Sequence, residues 1–525
     1  MIDTRDGDSP GRQPRVLVAC PDARPPAYHA VIALNQAGWL ESFATAYFFN
    51  PGSRSAILAR RLAPRHFQRW EALLRRRHHP EIPADRVVRV PSVDLALRLE
   101  ASLASRRTNL KRRLAQARTD WFDRRLASLV ARVRPDLLLV FSDVGSERTL
   151  PLCRRLGIPT ILSMVHGDVR EEARILAEEE AAAPDFFPLY LGDGVLDREE
   201  LRWLHQRRLR DLELADRILV PSTQIAETLT AHGTPIDKIQ VVPYAADCRR
   251  FQPPPRKQHG SNCTFLFAGG ITQRKGIKYL LEAWEKVRRP EWKLQLLGPL
   301  PHRCGPLEPW LGHVELLGRV GHAEVPGRMA AADVFVFPSL FEGSAVVTYE
   351  ALAAGLPCVV SPSAGSVVRD GVEGFLVPPR NVEELAARMI QLGNSPDLRA
   401  RMSQAARRRA REFDWPRYHA AILREAATLL HHPQPTWTAD GPGPNCAEPT
   451  ATDPSRLNTG WENPEATSGV EPAAEASRLP DPEATAGKPV WPQRQRRLRE
   501  SVADRRFGNQ AGVAPDPSTA TSRKA

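Results

Sequence analysis

Two glutamates, two adjacent cations and one histidine are the residues of this chain whose types and spacing could do chemistry. Glu342 and Glu350 stand eight residues apart in the run Pro338–Gly365, PSLFEGSAVVTYEALAAGLPCVVSPSAG. Carboxylates so placed can accept hydrogen bonds from the hydroxyls of a ribose or a sugar. Arg274 and Lys275 lie in FAGGITQRKGI, ahead of a helical pattern beginning at about Gly276. Cations at a helix start oppose the helix dipole. An anion bound between them removes the conflict, because Arg forks onto phosphate oxygens and Lys adds a point charge. Loop N–H groups and a helix N-terminus offer further donors to such an anion. A nucleoside diphosphate meets all of these demands together. On spacing alone a second account stays open for each group, in which the glutamates and cations are merely solvated.

These residues need rigid elements behind them. Val334–Phe337 is a continuous apolar run and reads as a buried strand. Ala345–Ala354 is helical in pattern, with Gly355 as its stop and Pro357 just beyond. Cys358–Val360 is a second buried strand, so Glu342 falls in the loop of a βαβ unit and Glu350 in its helix. The strand beginning at Thr264 runs into Gly269 and Gly270, whose bare backbones let phosphates approach. Upstream, strands are expected over Arg15–Cys20, Glu41–Phe49, Asp136–Phe141, Pro159–Val165, Arg217–Pro221 and Ile239–Tyr244, with Ser222 capping a helix. The loops after Asp136–Phe141 and Pro159–Val165 open at one sheet edge, the usual place for a ligand crevice. His166 and Asp168 in that loop could position a sugar or polarise a leaving group; an ordinary structural histidine is the competing account.

The stretch from Glu342 to Glu350 and the ALAAGLP tail after it resemble the Glu-x7-Glu signature of retaining glycosyltransferases, in particular glycosyltransferase family 4. The resemblance implies an α/β chain with the GT-B fold: two Rossmann-like domains with parallel sheets facing a central cleft. It implies a nucleotide-diphosphate sugar as donor, with Glu342 facing the sugar and Glu350 the ribose. Arg274 and Lys275 would hold the diphosphate, and the backbones of Gly269, Gly270, Gly343, Ser344 and Ala345 would line the donor. Gly298 and the backbone near Arg319 and Val320 would lie by the nucleobase. His166 matches a histidine that the family places near the donor sugar. Glu342, His166, Arg274 and Lys275 form the implied catalytic set. No metal and no other cofactor is expected, because the two cations take a metal's place. The chain departs from the family pattern at PDARPP after the first strand, at Gly270 where an Arg usually stands, and at VVPYAAD, so Tyr244 receives no ligand role. An inactive binding or scaffold protein on the same frame, or another GT-B enzyme such as a sugar-nucleotide epimerase, are the alternatives. The retained Glu342, Glu350, Arg274 and Lys275 argue for the transferase.

The 525 residues exceed what a single core organises, and 42% hydrophobic content suits a globular chain. The expected division is a flexible start over 1–14, an acceptor-side domain over 15–247 and a linker over 248–262. A donor-side domain over 263–415, a helix returning to the first domain over 416–432, and a disordered tail over 433–525 carrying fourteen prolines complete it. Seven widely spaced cysteines show neither metal-ligand nor redox spacing, so a reducing cytoplasm is expected. Neither a membrane-spanning run nor a signal peptide is read. Net charge is +12, yet Arg54–Arg134 alone holds 21 Lys or Arg against 7 Asp or Glu, leaving the rest of the chain slightly acidic. Within that block Phe67, Trp70, Leu73 and Leu74 share one helical face. Such a face could rest on an anionic membrane, or simply pack against the sheet beneath. The first option places the protein peripherally on the inner face of the cell membrane, with an acceptor that is lipid-linked or otherwise unidentified. Nucleic acid is not an expected partner, because aromatic residues do not interleave the basic ones.

Overall fold

The structure, a computed structural model, describes residues 12–433 apart from 23, 63–66, 68–70, 72–73, 91–107, 193–197, 254–261 and 303. The expected tail and most of the linker, together with Trp70 and Leu73, lie outside the described residues.

Two parallel sheets organise the chain. The first has the order β3-β2-β1-β4-β5-β6-β7, built from β1 (Val16–Ala19), β2 (Leu40–Thr45), β3 (Val87–Arg89), β4 (Leu137–Phe141), β5 (Thr160–Ser163), β6 (Arg217–Val220) and β7 (Ile239–Val241). The second has the order β10-β9-β8-β11-β12-β13, from β8 (Cys263–Ala268), β9 (Trp292–Leu297), β10 (Glu315–Gly318), β11 (Val334–Phe337), β12 (Cys358–Val360) and β13 (Gly374–Leu376). β1, β4 and β11 are buried along their whole length, which is why each reads as an unbroken apolar run. In each sheet the order reverses beside the first strand, between β1 and β4 and between β8 and β11. Diverging connections leave a crevice at such points. The loops after β8 and β11 carry the cations and Glu342.

β3 was not among the expected strands. Its three residues pair only with Phe43–Thr45, too short a span to leave a period in the sequence. β2 also ends at Thr45 rather than Phe49; Phe48 and Phe49 turn into separate apolar contacts.

The helix Trp415–Leu430 carries the end of the described chain back to the first sheet. Asp414 caps it through Arg417 N (3.1 Å), and Pro416 suits its first turn. It packs on the helix Pro25–Gln36, where the Tyr418 hydroxyl donates to Pro26 O (3.1 Å) and a His29 nitrogen meets one of His419 at 3.0 Å.

Candidate active site

The close approach of two strand ends begins the site. Gly269 and Gly298 follow β8 and β9 with φ of +149° and +156°. A Cβ on Gly298 would lie 1.7 Å from the Gly269 carbonyl oxygen, so only glycine fits. The chain then forms a single 3-10 turn, Gln273–Lys275, ended by Gly276 in the left-handed region at φ +74°. A Cβ at Gly276 would sit 2.0 Å from Pro338 O. This contact seats the turn directly against the loop after β11. Arg274 and Lys275 therefore precede the helix Ile277–Val287 rather than forming its first turn.

That seating brings three of the predicted groups together. Lys275 Nζ hydrogen-bonds Glu342 Oε1. The Arg274 guanidinium lies 3.9 Å from the same oxygen, and Ser339 Oγ lies 3.3 Å from it. Leu340 N donates to Arg274 O at 2.9 Å, fixing the turn's backbone. Lys275 Nζ also stands 5.2 Å from the centre of the Phe337 ring. The Lys275 and Glu342 side chains are 15% and 12% exposed, whereas Arg274 is 30% exposed and faces open space more fully. Burial pushes the Glu342 carboxyl up, but the Lys275 and Arg274 charges outweigh it and hold the group below the usual range. Burial pulls Lys275 down, with Glu342 opposing. Within the cluster itself two cations stand against one carboxylate, one positive charge in surplus, and Glu172, held by Arg208 at 3.5 Å, is the next acid near Arg274. Such a site attracts an anion.

The first sheet meets this cluster through the loop after Glu342. Ser222 Oγ, which caps its own helix, also donates to Gly343 O (3.0 Å). A Cβ on Gly343 would lie 2.6 Å from Val165 O and 3.3 Å from His166 N, so the His166 loop abuts the Glu342 loop. The Ser344 hydroxyl bonds Gly365 O (2.7 Å), and Ala345 N donates to Ala364 O (2.9 Å). Both of these polar groups are thus engaged within the fold.

The other predicted residues lie outside this ion cluster. Glu350, on the helix Val346–Ala353, has its carboxylate 3.5 Å from His322 Nε2. Gly298 N donates to Gly318 O (3.0 Å); Val320, just beyond, packs half-buried on the core beside exposed Arg319. Gly270 has only the Thr272 methyl near the place of a Cβ, at 3.5 Å. His166 presents Nε2 to Asp143 Oδ2 at 3.3 Å. Arg208 clamps that aspartate with Nε at 2.6 Å and a second nitrogen at 3.2 Å. Burial, then the Arg208 charge, lowers His166 and keeps the imidazole neutral at pH 7, whereas Arg208 and His166 overcome burial to hold Asp143 well below the carboxylate range. The Asp168 side chain has no exposed surface. It caps the helix Val169–Ala182, and Arg170 occupies both its oxygens. Tyr244 is buried, with its hydroxyl 3.4 Å from Met164 O.

Asp143, Arg208, Ser339 and His322 escaped the sequence reading. Only Asp143 left a usable signal, as the acid of SDVGS at a strand end. Among the described residues, no group of three or more His, Cys, Asp or Glu is placed to hold a metal ion.

Two family profiles match the chain. "Glycosyltransferase Family 4" covers residues 58–250 and "Glycosyl transferases group 1" covers 262–395, one on each sheet. The chain belongs to glycosyltransferase family 4. A relative, the MMP alpha-(1->4)-mannosyltransferase of Mycolicibacterium hassiacum, is 27% identical over 66% of this chain and 88% of its own length. Of several other curated relatives the chain spans about half to two thirds. Among solved structures, sucrose-phosphate synthase from Thermosynechococcus elongatus superposes with a TM-score of 0.57 at 19% identity, over 80% of this chain and all of that one. HepE from Anabaena, solved with UDP and glucose, gives a TM-score of 0.50 at 15% identity, over 79% of this chain and 100% of that chain. The family 4 chain thus has the GT-B fold, and the surplus-charge cluster of the transferase stands at the switch point of its second sheet.

Proposed function

We propose that this glycosyltransferase is a retaining enzyme that moves a hexose from a nucleoside-diphosphate sugar to an acceptor in cell-surface polysaccharide or glycolipid synthesis. The observation that carries the donor half is the Arg274–Lys275–Glu342 cluster, with its surplus positive charge in a part-buried crevice. HepE, which shares the fold, holds UDP and glucose. In this reading the diphosphate enters between Arg274 and Lys275. As the anomeric bond breaks, negative charge collects on the leaving diphosphate, and the two cations stabilise it. Glu342 is held ionised beside them and orients the sugar hydroxyls. The acceptor oxygen bonds to the anomeric carbon from the leaving-group face, and its proton passes to the departing phosphate oxygen. Neutral His166, steadied by Asp143, lines the sugar side. Glu350 holds the ribose with His322 beside it.

The helix Arg54–Leu62 supports the membrane half of the proposal. Ile57, Leu58 and Leu62 are exposed at 40%, 56% and 76%, between Arg54, Arg60 and Arg61, while Ala56 faces inward. An apolar edge framed by cations fits an anionic lipid surface. No helix among the described residues is long and apolar enough to cross a membrane. The lipid surface in question is the cytoplasmic face.

The donor reading is tested by nucleotide-sugar turnover and by binding of UDP, GDP and ADP to the wild type and to Arg274→Ala and Lys275→Ala. Each substitution should cut turnover roughly 100-fold, as loss of one charge-stabilising donor does elsewhere. Wild-type turnover in the double variant would refute the reading.

A further inference from the structure

A three-residue 3-10 turn is a weak platform for two cations, since such turns have poor hydrogen-bond geometry and few bonds of their own. Gln273–Lys275 has no side-chain cap at Thr272, and Gly276 ends it in the left-handed region. Something else must hold it. On one side the loop after β11 does so, through Leu340 N and Ser339 Oγ to Arg274 O at 2.9 and 3.2 Å. On the other side the holding groups come from the half of the chain that carries the first sheet. Arg274 N donates to Tyr190 O at 3.3 Å. Gln273, fully buried, donates from Nε2 to Glu179 Oε2 at 2.6 Å.

Glu179 lies in the last turn of the helix Val169–Ala182 and has no exposed surface. Its other oxygen accepts from the Tyr279 hydroxyl at 2.9 Å and from Arg380 Nε at 2.6 Å. All three donors belong to the half that carries the second sheet. The Gln273 amide is used at both ends, because its oxygen accepts from Lys278 N at 3.1 Å. Apolar residues from the two halves surround the contact: Ile175, Leu176 and Tyr190 against Tyr279, Leu340 and Phe341. A buried carboxylate is tolerated only with its lone pairs filled. Glu179 therefore reaches its stable state only when the two halves are docked and Gln273 is in place. Neither the chemistry of the transferase nor the packing of either sheet demands a charge there.

We propose that Glu179 is a positioning residue, an acid from one half that holds the diphosphate-binding turn of the other, so that Arg274 and Lys275 are aimed at the donor only when the halves are docked. The inference rests on the donor reading above. Removing the acid releases Gln273 Nε2, and the turn keeps only Tyr190 O and the loop after β11 as its supports from outside. Misplacing a binding group by an ångström costs about 100-fold in favourable sites.

The experiment compares the full chain with Glu179→Gln and with the exchange Glu179→Gln/Gln273→Glu. The exchange restores the amide–carboxylate pair in reverse, and places the acid near the start of the helix Ile277–Val287, where it is welcome. Binding of UDP, GDP and ADP, donor KM, kcat and thermal midpoint are measured for each. Glu179→Gln should weaken nucleoside diphosphate binding roughly 10- to 100-fold at a temperature where it remains folded, and the exchange should regain most of that loss. A lower midpoint with unchanged nucleotide affinity and kcat would show a merely structural contact and overturn the proposal. So would a loss that the exchange leaves unrepaired. If the wild type binds none of the three nucleotides, the donor reading fails and this inference with it; if the wild type and Glu179→Gln bind equally, only the latch fails.

Discussion

Acidification should loosen the seam between the return helix and the first half of the chain, and two histidines set the size of the effect. His29, on Pro25–Gln36, and His419, on Trp415–Leu430, meet at 3.0 Å between Nδ1 and Nε2. His29 stacks on Trp415 with ring centres 3.6 Å apart, and His79 lies edge-on to it at 5.7 Å. One nitrogen of the pair must donate and the other accept, so two imidazolium rings cannot occupy the arrangement. Burial, then the nearness of His419 and His79, lowers His29 to about 2; burial, then His79, lowers His419 to about 4. In the unfolded chain both titrate near the ordinary value of about 6.5. Below that value the unfolded chain binds protons that the folded one refuses, so stability present at neutral pH is lost as pH falls from about 6.5 towards the lower folded values. At pH 5, about 1.5 pH units below the ordinary value, each ring costs about 2 kcal/mol, and the pair about 4 kcal/mol if independent. A domain's whole stability is about 5–15 kcal/mol.

The assay is urea unfolding at pH 7 and pH 5 for the wild type and for His29→Gln/His419→Gln. The variant loses a neutral hydrogen bond and should be about 1 kcal/mol less stable at pH 7. It should also lose clearly less between pH 7 and pH 5 than the wild type does, with His79 and the other buried histidines contributing equally to both. Parallel pH profiles for the two proteins would refute the reasoning, since the acid sensitivity would then belong elsewhere.

Gly276→Ala should lower both stability and donor affinity. It adds left-handed strain of about 1–2 kcal/mol and a collision with Pro338 O, and the collision displaces the cation turn. Gly233→Ala, at φ +86° with open space around the added carbon, is the control: strain alone, with donor affinity unchanged. Equal affinities in the two variants would disprove the claim that the Pro338 contact seats the turn. On vesicles, binding should rise with anionic lipid and fall with salt, because each cation near the surface is worth about 1 kcal/mol and is screened within a Debye length. Leu58→Glu/Leu62→Glu should reduce that binding at least tenfold, roughly the effect of about 1.4 kcal/mol. Binding indifferent to salt and to these substitutions would assign the Arg54–Leu62 helix to packing alone.

What could be seen in the sequence follows from how far apart the interacting residues lie. β11, the helix Val346–Ala353 and β12 were readable because strand, stop signal and strand fall within one short stretch. Arg274 and Lys275 were readable because adjacent cations ahead of a helix violate a local rule. Glu179 offered no such violation. It is the middle acid of Glu178, Glu179 and Glu180, and only its buried position distinguishes it from its exposed and half-exposed neighbours. Its partners Gln273, Tyr279 and Arg380 are 94, 100 and 201 residues away. His29 and His419 are 390 residues apart and each reads as an isolated histidine. Asp168 was misjudged for the converse reason: a loop position near His166 suggested chemistry, whereas an acid just before a helix is more simply its cap. The identity of the paired cations is therefore local information, while their placement is not. A chain with the same Arg-Lys-Gly and the same pair of glutamates, but no acid at the end of the helix Val169–Ala182, would need a different anchor for its 3-10 turn. Without one it would carry the motif and bind the donor weakly.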